Sequence, residues 1–303
     1  MNLTPLVGGN SVDGRLPTRD SVLVNEIRER AVTLDDGAQL WTMSSGPTGG
    51  SPVVLCHGGP GMWDYLGPIA TMVDSTHHVH RYDQRGCGRS TGPDDYRVDR
   101  AVADLDALRR QWDYDRWTVF GHSWGAALVL AYAWTHPEHV EAVIYCSGTG
   151  PGTEWRAPYY AEVAKRLTAK EQNRRDELEQ QERSWDEEVE YRMLCWLPDY
   201  ADPSRAEGWA RAAASVPFEI NWQANRELWC GQPDAITLAT KVTAPTLIIH
   251  GEQDPRPLVN ARRLLDIVPN ASLGVIPNAG HLPWFEAPTA VSTRLNAFLT
   301  AYE

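Results

Sequence analysis

Short apolar runs alternate with stretches of helical spacing along most of this 303-residue chain. Residues 53–56, 117–120, 142–146 and 246–250 are apolar at nearly every position, which predicts strands buried on both faces. Strands are also predicted at 78–82 and 273–276, and at 29–34 and 39–44, the last two joined by the hairpin turn Asp35-Asp36-Gly37. Residues 98–112 bring Val102, Leu105 and Leu108 to one helical face, and helices are predicted at 258–268 and 289–302. Such alternation predicts an α/β fold, a mostly parallel sheet with helices on both faces. Roughly the first 25 residues, rich in Gly, Pro, Ser and Asn, predict a poorly ordered lead-in.

The rhythm breaks between residues 150 and 234, where no strand pattern occurs and charged helical segments such as 161–189 dominate. Six of the 13 tryptophans fall there: Trp155, Trp185, Trp196, Trp209, Trp222 and Trp229. They predict the core of a small helical layer, with one or two of them on a substrate cavity as the alternative. The expected organisation is a core domain from 1–149 and 235–303, with a helical cap domain, 150–234, inserted between two sheet strands.

Composition narrows the partners. A hydrophobic share of 42% and a charged share of 22% are ordinary for a globular protein. A formal net charge of −12 argues against nucleic acid and anionic membrane, since binding phosphate needs clustered Lys and Arg. The five cysteines form no C-x-x-C pair, and Cys56 and Cys146 sit inside apolar runs, which predicts a reducing, cytoplasmic setting. Residues 1–10 lack a basic and an apolar region, so no signal peptide is expected, and no apolar run reaches the length of a membrane span.

The chemistry centres on Gly121-His122-Ser123-Trp124-Gly125, a G-x-S-x-G motif set between an apolar strand and an apolar helix. That setting predicts a nucleophile elbow with Ser123 at its tip. A serine hydroxyl needs a histidine base, and the base needs a carboxylate to hold its tautomer. In the expected order Ser, acid, His, Asp254 follows the strand at 246–250 and His281 follows the one at 273–276. Glu252 competes with Asp254, which lies further from the strand end and precedes Pro255. The expected oxyanion donors are the backbone N–H of Trp124 and that of Gly59 in His57-Gly58-Gly59-Pro60-Gly61, with Gly58 as the alternative; Pro60 has no N–H. His122 is expected to point away from the chemistry. His77, His78 and His80 alternate on one strand without a supporting carboxylate or cysteine, so no metal site is expected.

Three segments together carry a resemblance: His57 to Gly61, Asp83-Gln84-Arg85-Gly86-Cys87-Gly88-Arg89-Ser90, and the elbow. From about Leu40 onward the chain resembles the proline iminopeptidase branch of the α/β-hydrolases, firmly in the sheet and loosely in the insertion. The resemblance implies an eight-stranded sheet, the insertion as a cap over the site, and no cofactor. It makes the segment from Asp83 to Ser90 a structural loop held by hydrogen bonds of Asp83 and Arg85.

The chain also departs from that branch. Members that cleave N-terminal proline hold the free amine with carboxylates, in some relatives a Glu directly after the catalytic acid, where this chain has Pro255. Position 122 is His where many peptidases of the branch have Gly. Glu219 is the first candidate amine anchor, ahead of Glu227 and Glu154, with Trp222 and Trp63 as candidate substrate walls. The leading expectation is a serine hydrolase that releases an N-terminal residue from short peptides. The alternative is an ester, lactone or amide hydrolase of a small metabolite. A serine at the elbow disfavours epoxide hydrolase and dehalogenase chemistry, and a complete triad disfavours a non-catalytic receptor.

Overall fold

The computed structural model describes residues 27–231 and 239–302. The predicted lead-in and the end of the predicted cap lie outside these residues.

Eight strands form one sheet in the order β1-β2-β4-β3-β5-β6-β7-β8. They are β1 (Arg28–Thr33), β2 (Gln39–Ser45), β3 (Pro52–Cys56), β4 (His78–Tyr82), β5 (Trp117–His122), β6 (Val140–Cys146), β7 (Thr246–Gly251) and β8 (Ala271–Ile276). β1 pairs antiparallel with β2, and β2 with β4; every later pairing is parallel. The β1–β2 turn closes with Leu34 N–H donating to Ala38 O at 2.8 Å, and Gly37 takes a φ of +84° that favours glycine.

Strand alternation divides the core between the two faces. Val54, Cys56, Val119, Val143 and Ile248 pack toward Val102, Leu105 and Leu108 of α2 (Val98–Gln111) and the buried residues of α3 (Trp124–Thr135). Val53, Leu55, Phe120, Ile144 and Leu247 face the other way. They meet Ile69 and Val73 of α1 (Gly67–Val73) and Val291, Leu295 and Leu299 of the C-terminal helix Pro288–Thr300. All six positions of β5 and of β7 are buried, which is why both read as nearly continuous apolar runs.

Between β6 and β7 the chain forms α4 (Arg156–Arg166), α5 (Ala169–Glu179), α6 (Trp185–Trp196), α7 (Pro203–Ala214) and α8 (Trp222–Cys230). The helical segment expected at 161–189 is therefore three helices. Thr168 with Glu171, and Ser184 with Glu187, form capping boxes that start α5 and α6. Leu178, Met193, Leu194, Tyr200, Ala206, Ala210 and Ala214 give this insertion its own small core.

Candidate active site

Ser123 joins β5 to α3 with φ 56° and ψ −117°, outside the regions an L-residue prefers. Its own N–H donates to Cys146 O at 2.9 Å, and its C=O accepts from Ala126 N–H at 3.1 Å. The flanking glycines are required by space. A Cβ on Gly121 would lie 2.1 Å from Gly125 O, and one on Gly125 would lie 2.2 Å from Cys56 O. Those contacts seat the turn against the end of β3 and hold the strained serine at the sheet's C-terminal edge.

Asp254 and His281 meet in the loops after β7 and β8. His281 Nδ1 lies 2.7 Å from Asp254 Oδ2. The Asp254 side chain is sealed from solvent, and its Oδ1 also accepts from Arg256 N–H at 2.8 Å. Burial alone would raise this carboxyl, but His281, and then His250 and Arg256, hold it below the ordinary carboxylate range. Glu252 is exposed, and Asn278 N–H lies 3.5 Å from its carboxylate, so it stands apart from His281. Engagement of Nδ1 by Asp254 leaves Nε2 of His281 as the nitrogen available to Ser123. Both residues line one cavity.

The two expected oxyanion donors flank Ser123. Trp124 opens α3, so its N–H has no helical acceptor one turn back. Gly59 lines the cavity with φ +108°, whereas Gly58 N–H is already donated to Tyr65 Oη at 2.9 Å, so Gly59 is the candidate donor of the two. The loop is held from outside by Asn225 of α8, whose side chain donates to Gly59 O at 2.9 Å and Pro60 O at 2.7 Å. The segment from Asp83 to Ser90 braces it from below. Asp83 accepts from Asp64 N–H and from Arg89, and Gln84 bonds His57. Arg85, itself buried, ties the segment to Asp104 of α2 and to Asp36 of the β1–β2 turn.

The cavity holds about 480 Å³, within the usual range for small-molecule sites. Its walls are largely aromatic: Trp63, Trp196, Tyr200, Trp209, Trp229 and Phe285. Three of the six insertion tryptophans thus face the site, while Trp185 and Trp222 are each 45% exposed. Trp63 lies where expected. Glu219 and Trp222 do not: both are exposed and neither lines the cavity. Glu227 and Glu154 are also exposed. Among the described residues, the carboxylate on the cavity wall is Asp199, which is ion-paired with Arg256. Asp199 and Arg256 escaped sequence reading because 57 positions separate them. Tyr65 and Asn225, which bond the 57–61 loop, and His122, which lines the cavity, carry no local signature either.

Among the described residues no cluster of three or more His, Cys, Asp or Glu could hold a metal ion. His78 and His80 instead share the Tyr114 hydroxyl, at 2.6 and 3.0 Å.

An elbow serine beside a His–Asp pair at the edge of such a sheet defines an α/β-hydrolase. The α/β hydrolase fold family matches residues 51–288, and the chain belongs to that family. A proline iminopeptidase of Heyndrickxia coagulans is 27% identical over 271 residues, covering 84% of this chain and 92% of the relative. Among solved structures, the proline iminopeptidase of Mycobacterium smegmatis superposes with a TM-score of 0.69 at 22% identity, covering 91% of this chain and 98% of its own. A meta-cleavage product hydrolase from Pseudomonas fluorescens IP01 superposes with a TM-score of 0.72 at 19% identity, over 90% and 98%. These two structures share the fold with a chain that is by family a hydrolase.

Proposed function

We propose that this protein is a serine hydrolase working through an acyl-enzyme on Ser123. The carrying observation is the 2.7 Å contact between His281 and Asp254 on the cavity that exposes Ser123. Ser123 Oγ attacks the substrate carbonyl carbon as its proton passes to His281 Nε2. The N–H groups of Trp124 and Gly59 stabilise the oxyanion. When the tetrahedral species collapses, the bond to the leaving group breaks and His281 returns the proton to it. Water, deprotonated by His281, then cleaves the acyl-serine ester. Asp254 stays ionised and steadies the imidazolium.

For the substrate, the cavity favours a small, mainly apolar ester, lactone or amide without a free amine. An ammonium placed among aromatic walls needs a carboxylate, and Asp199 is already bonded by Arg256. The aminopeptidase reading is favoured by the sequence motifs and by relatives named proline iminopeptidase; it requires the amine to share Asp199 with Arg256. In both readings the insertion roofs the site as a cap. The partner is a small molecule or short peptide rather than nucleic acid or membrane, and the setting is cytoplasmic. No helix among the described residues is long and apolar enough to cross a membrane.

The test compares a short-chain p-nitrophenyl ester, prolyl-p-nitroanilide and its N-acylated form. Ester turnover with the free-amine anilide untouched supports the proposal. Cleavage of the free-amine anilide alone replaces it with the aminopeptidase. Ser123→Ala should lower kcat at least about 10⁴-fold, and retained activity would overturn the assignment of the nucleophile.

A further inference from the structure

His122 is not turned away from the chemistry. Its Nδ1 lies 2.6 Å from Tyr65 Oη, and its Nε2 lies 2.9 Å from the backbone carbonyl oxygen of His281. Tyr65 Oη in turn lies 2.9 Å from Gly58 N.

The protons in this chain have one arrangement. A backbone amide can only donate, so Tyr65 Oη accepts from Gly58 and must send its single proton to His122 Nδ1. A carbonyl can only accept, so His122 Nε2 carries the proton donated to His281. Both ends demand the same neutral tautomer. His122 is 2% exposed, and its ring packs edge-on against Trp284 with centroids 4.7 Å apart. Burial, and then the adjacent His281, keep this imidazole from charging, and burial keeps the Tyr65 phenol protonated. Neither nitrogen of His122 has a lone pair left for Ser123, so His122 cannot replace His281 as base.

We propose that Tyr65 and His122 form a proton-ordered brace that sets the oxyanion loop and the base loop in register with each other. The proposal rests on the acyl-enzyme reading. At one end, tying Gly58 N–H constrains the residue whose peptide supplies the Gly59 N–H. At the other, His281 has its main chain held on both sides: its N–H donates to Asp199 O at 2.7 Å, and its C=O accepts from His122. The brace thus links a donor that meets the oxyanion with the imidazole that moves the proton. Displacements of about 1 Å between such groups cost on the order of 100-fold in rate.

Three substitutions probe the ends. His122→Asn keeps an acceptor near Nδ1 for Tyr65 and loses the donor to His281. His122→Gln keeps a donor near Nε2 and loses the acceptor. Tyr65→Phe removes both the acceptor for Gly58 N–H and the donor to His122 Nδ1, while His122 Nε2–H can still donate to His281. The readouts are the burst rate of acylation with a p-nitrophenyl ester, KM, the affinity of a boronic acid that mimics the tetrahedral species, and that of the product acid.

Tyr65→Phe and His122→Gln should slow acylation and weaken the boronic acid together, by about 10- to 100-fold, as for partial loss of an oxyanion donor. KM and product-acid affinity should stay within about two-fold. His122→Asn should slow acylation by a similar factor while holding boronic acid affinity closer to the parent. Unchanged acylation in Tyr65→Phe would overturn the brace, as would equal losses of product-acid and boronic acid affinity. Labelling of Ser123 by a fluorophosphonate keeps the two ideas apart. A parent protein that neither labels nor turns over ester loses the acyl-enzyme reading and the brace with it, whereas an active parent with fully active variants loses the brace alone.

Discussion

Acid should loosen this fold through its buried histidines. His57, His80 and His122 are 0%, 3% and 2% exposed. Burial disfavours the charged imidazole in each; His80, with His78 and Arg30 adding to the effect, is pushed down to about 3. In the unfolded chain a histidine takes up its proton near pH 6.5. Below that pH the unfolded ensemble binds more protons than the native state, so stability is full above about 6.5 and falls as the pH drops toward the native value. Between pH 7.5 and 5.5 His80 alone removes about 1.4 kcal/mol, and His57 and His122 act in the same direction. Asp64 and Asp104, raised by burial despite Arg81 and Arg85, contribute with the opposite sign, so the decisive quantity is a difference between two proteins. His80→Gln can keep a hydrogen bond to Tyr114 Oη, 3.0 Å from Nε2 in the parent, and cannot titrate. Urea unfolding followed by tryptophan fluorescence at both pH values should show the variant losing about 1.4 kcal/mol less than the parent. Equal losses in the two proteins would refute the assignment of a neutral, buried His80.

Two further outcomes follow from the site. Asp254→Asn should lower kcat by about 10³- to 10⁴-fold with little change in KM, because an amide no longer enforces the Nδ1–H tautomer of His281; steady-state ester kinetics read it directly. Gly125→Ala should cost at least about 2 kcal/mol in urea unfolding, since the new methyl would meet the backbone oxygens of Cys56 at 2.2 Å and His57 at 2.6 Å, neither of which is a flexible chain end.

The sheet was legible because its signals are local. Strands buried on both faces must be apolar throughout, and the elbow needs small residues on either side of the serine, so β5, Gly121, Ser123 and Gly125 show themselves within nine residues of sequence. Asp254 and His281 were legible for a topological reason: each follows a parallel strand, where that strand's C-terminal end opens on the site. The insertion was harder. Charged helical residues run on through 161–189, and what divides them is the pair of T/S-x-x-E sequences at Thr168 and Ser184, a capping signal that the charge pattern masks. The substrate wall was least legible. An acid within an aromatic run, as at Glu219, looks the same in sequence whether it turns inward or outward, and the Asp199–Arg256 pair is a tertiary fact.

The insertion is bonded to the 57–61 loop and to the loops that follow β7 and β8. Asn225 holds the carbonyls of Gly59 and Pro60, and Asn221 N–H donates to Gly61 O at 2.9 Å. The segment between α6 and α7 accepts the His281 N–H through Asp199 O. Arg166, at the end of α4, donates to Gln253 O, next to Asp254, at 2.6 Å. Lifting the insertion as one rigid lid would break these bonds together. At about 1 kcal/mol net for each, that is several kcal/mol before any apolar contact is counted. It would also release the Gly59 loop and the His281 main chain, which in the proposed mechanism supply the oxyanion donor and the base. The roof of the cavity is therefore part of the frame that aligns Ser123, Gly59 and His281. Substitutions on α8 or in the 197–202 segment, though remote in sequence from the elbow, should act on kcat as well as on substrate affinity.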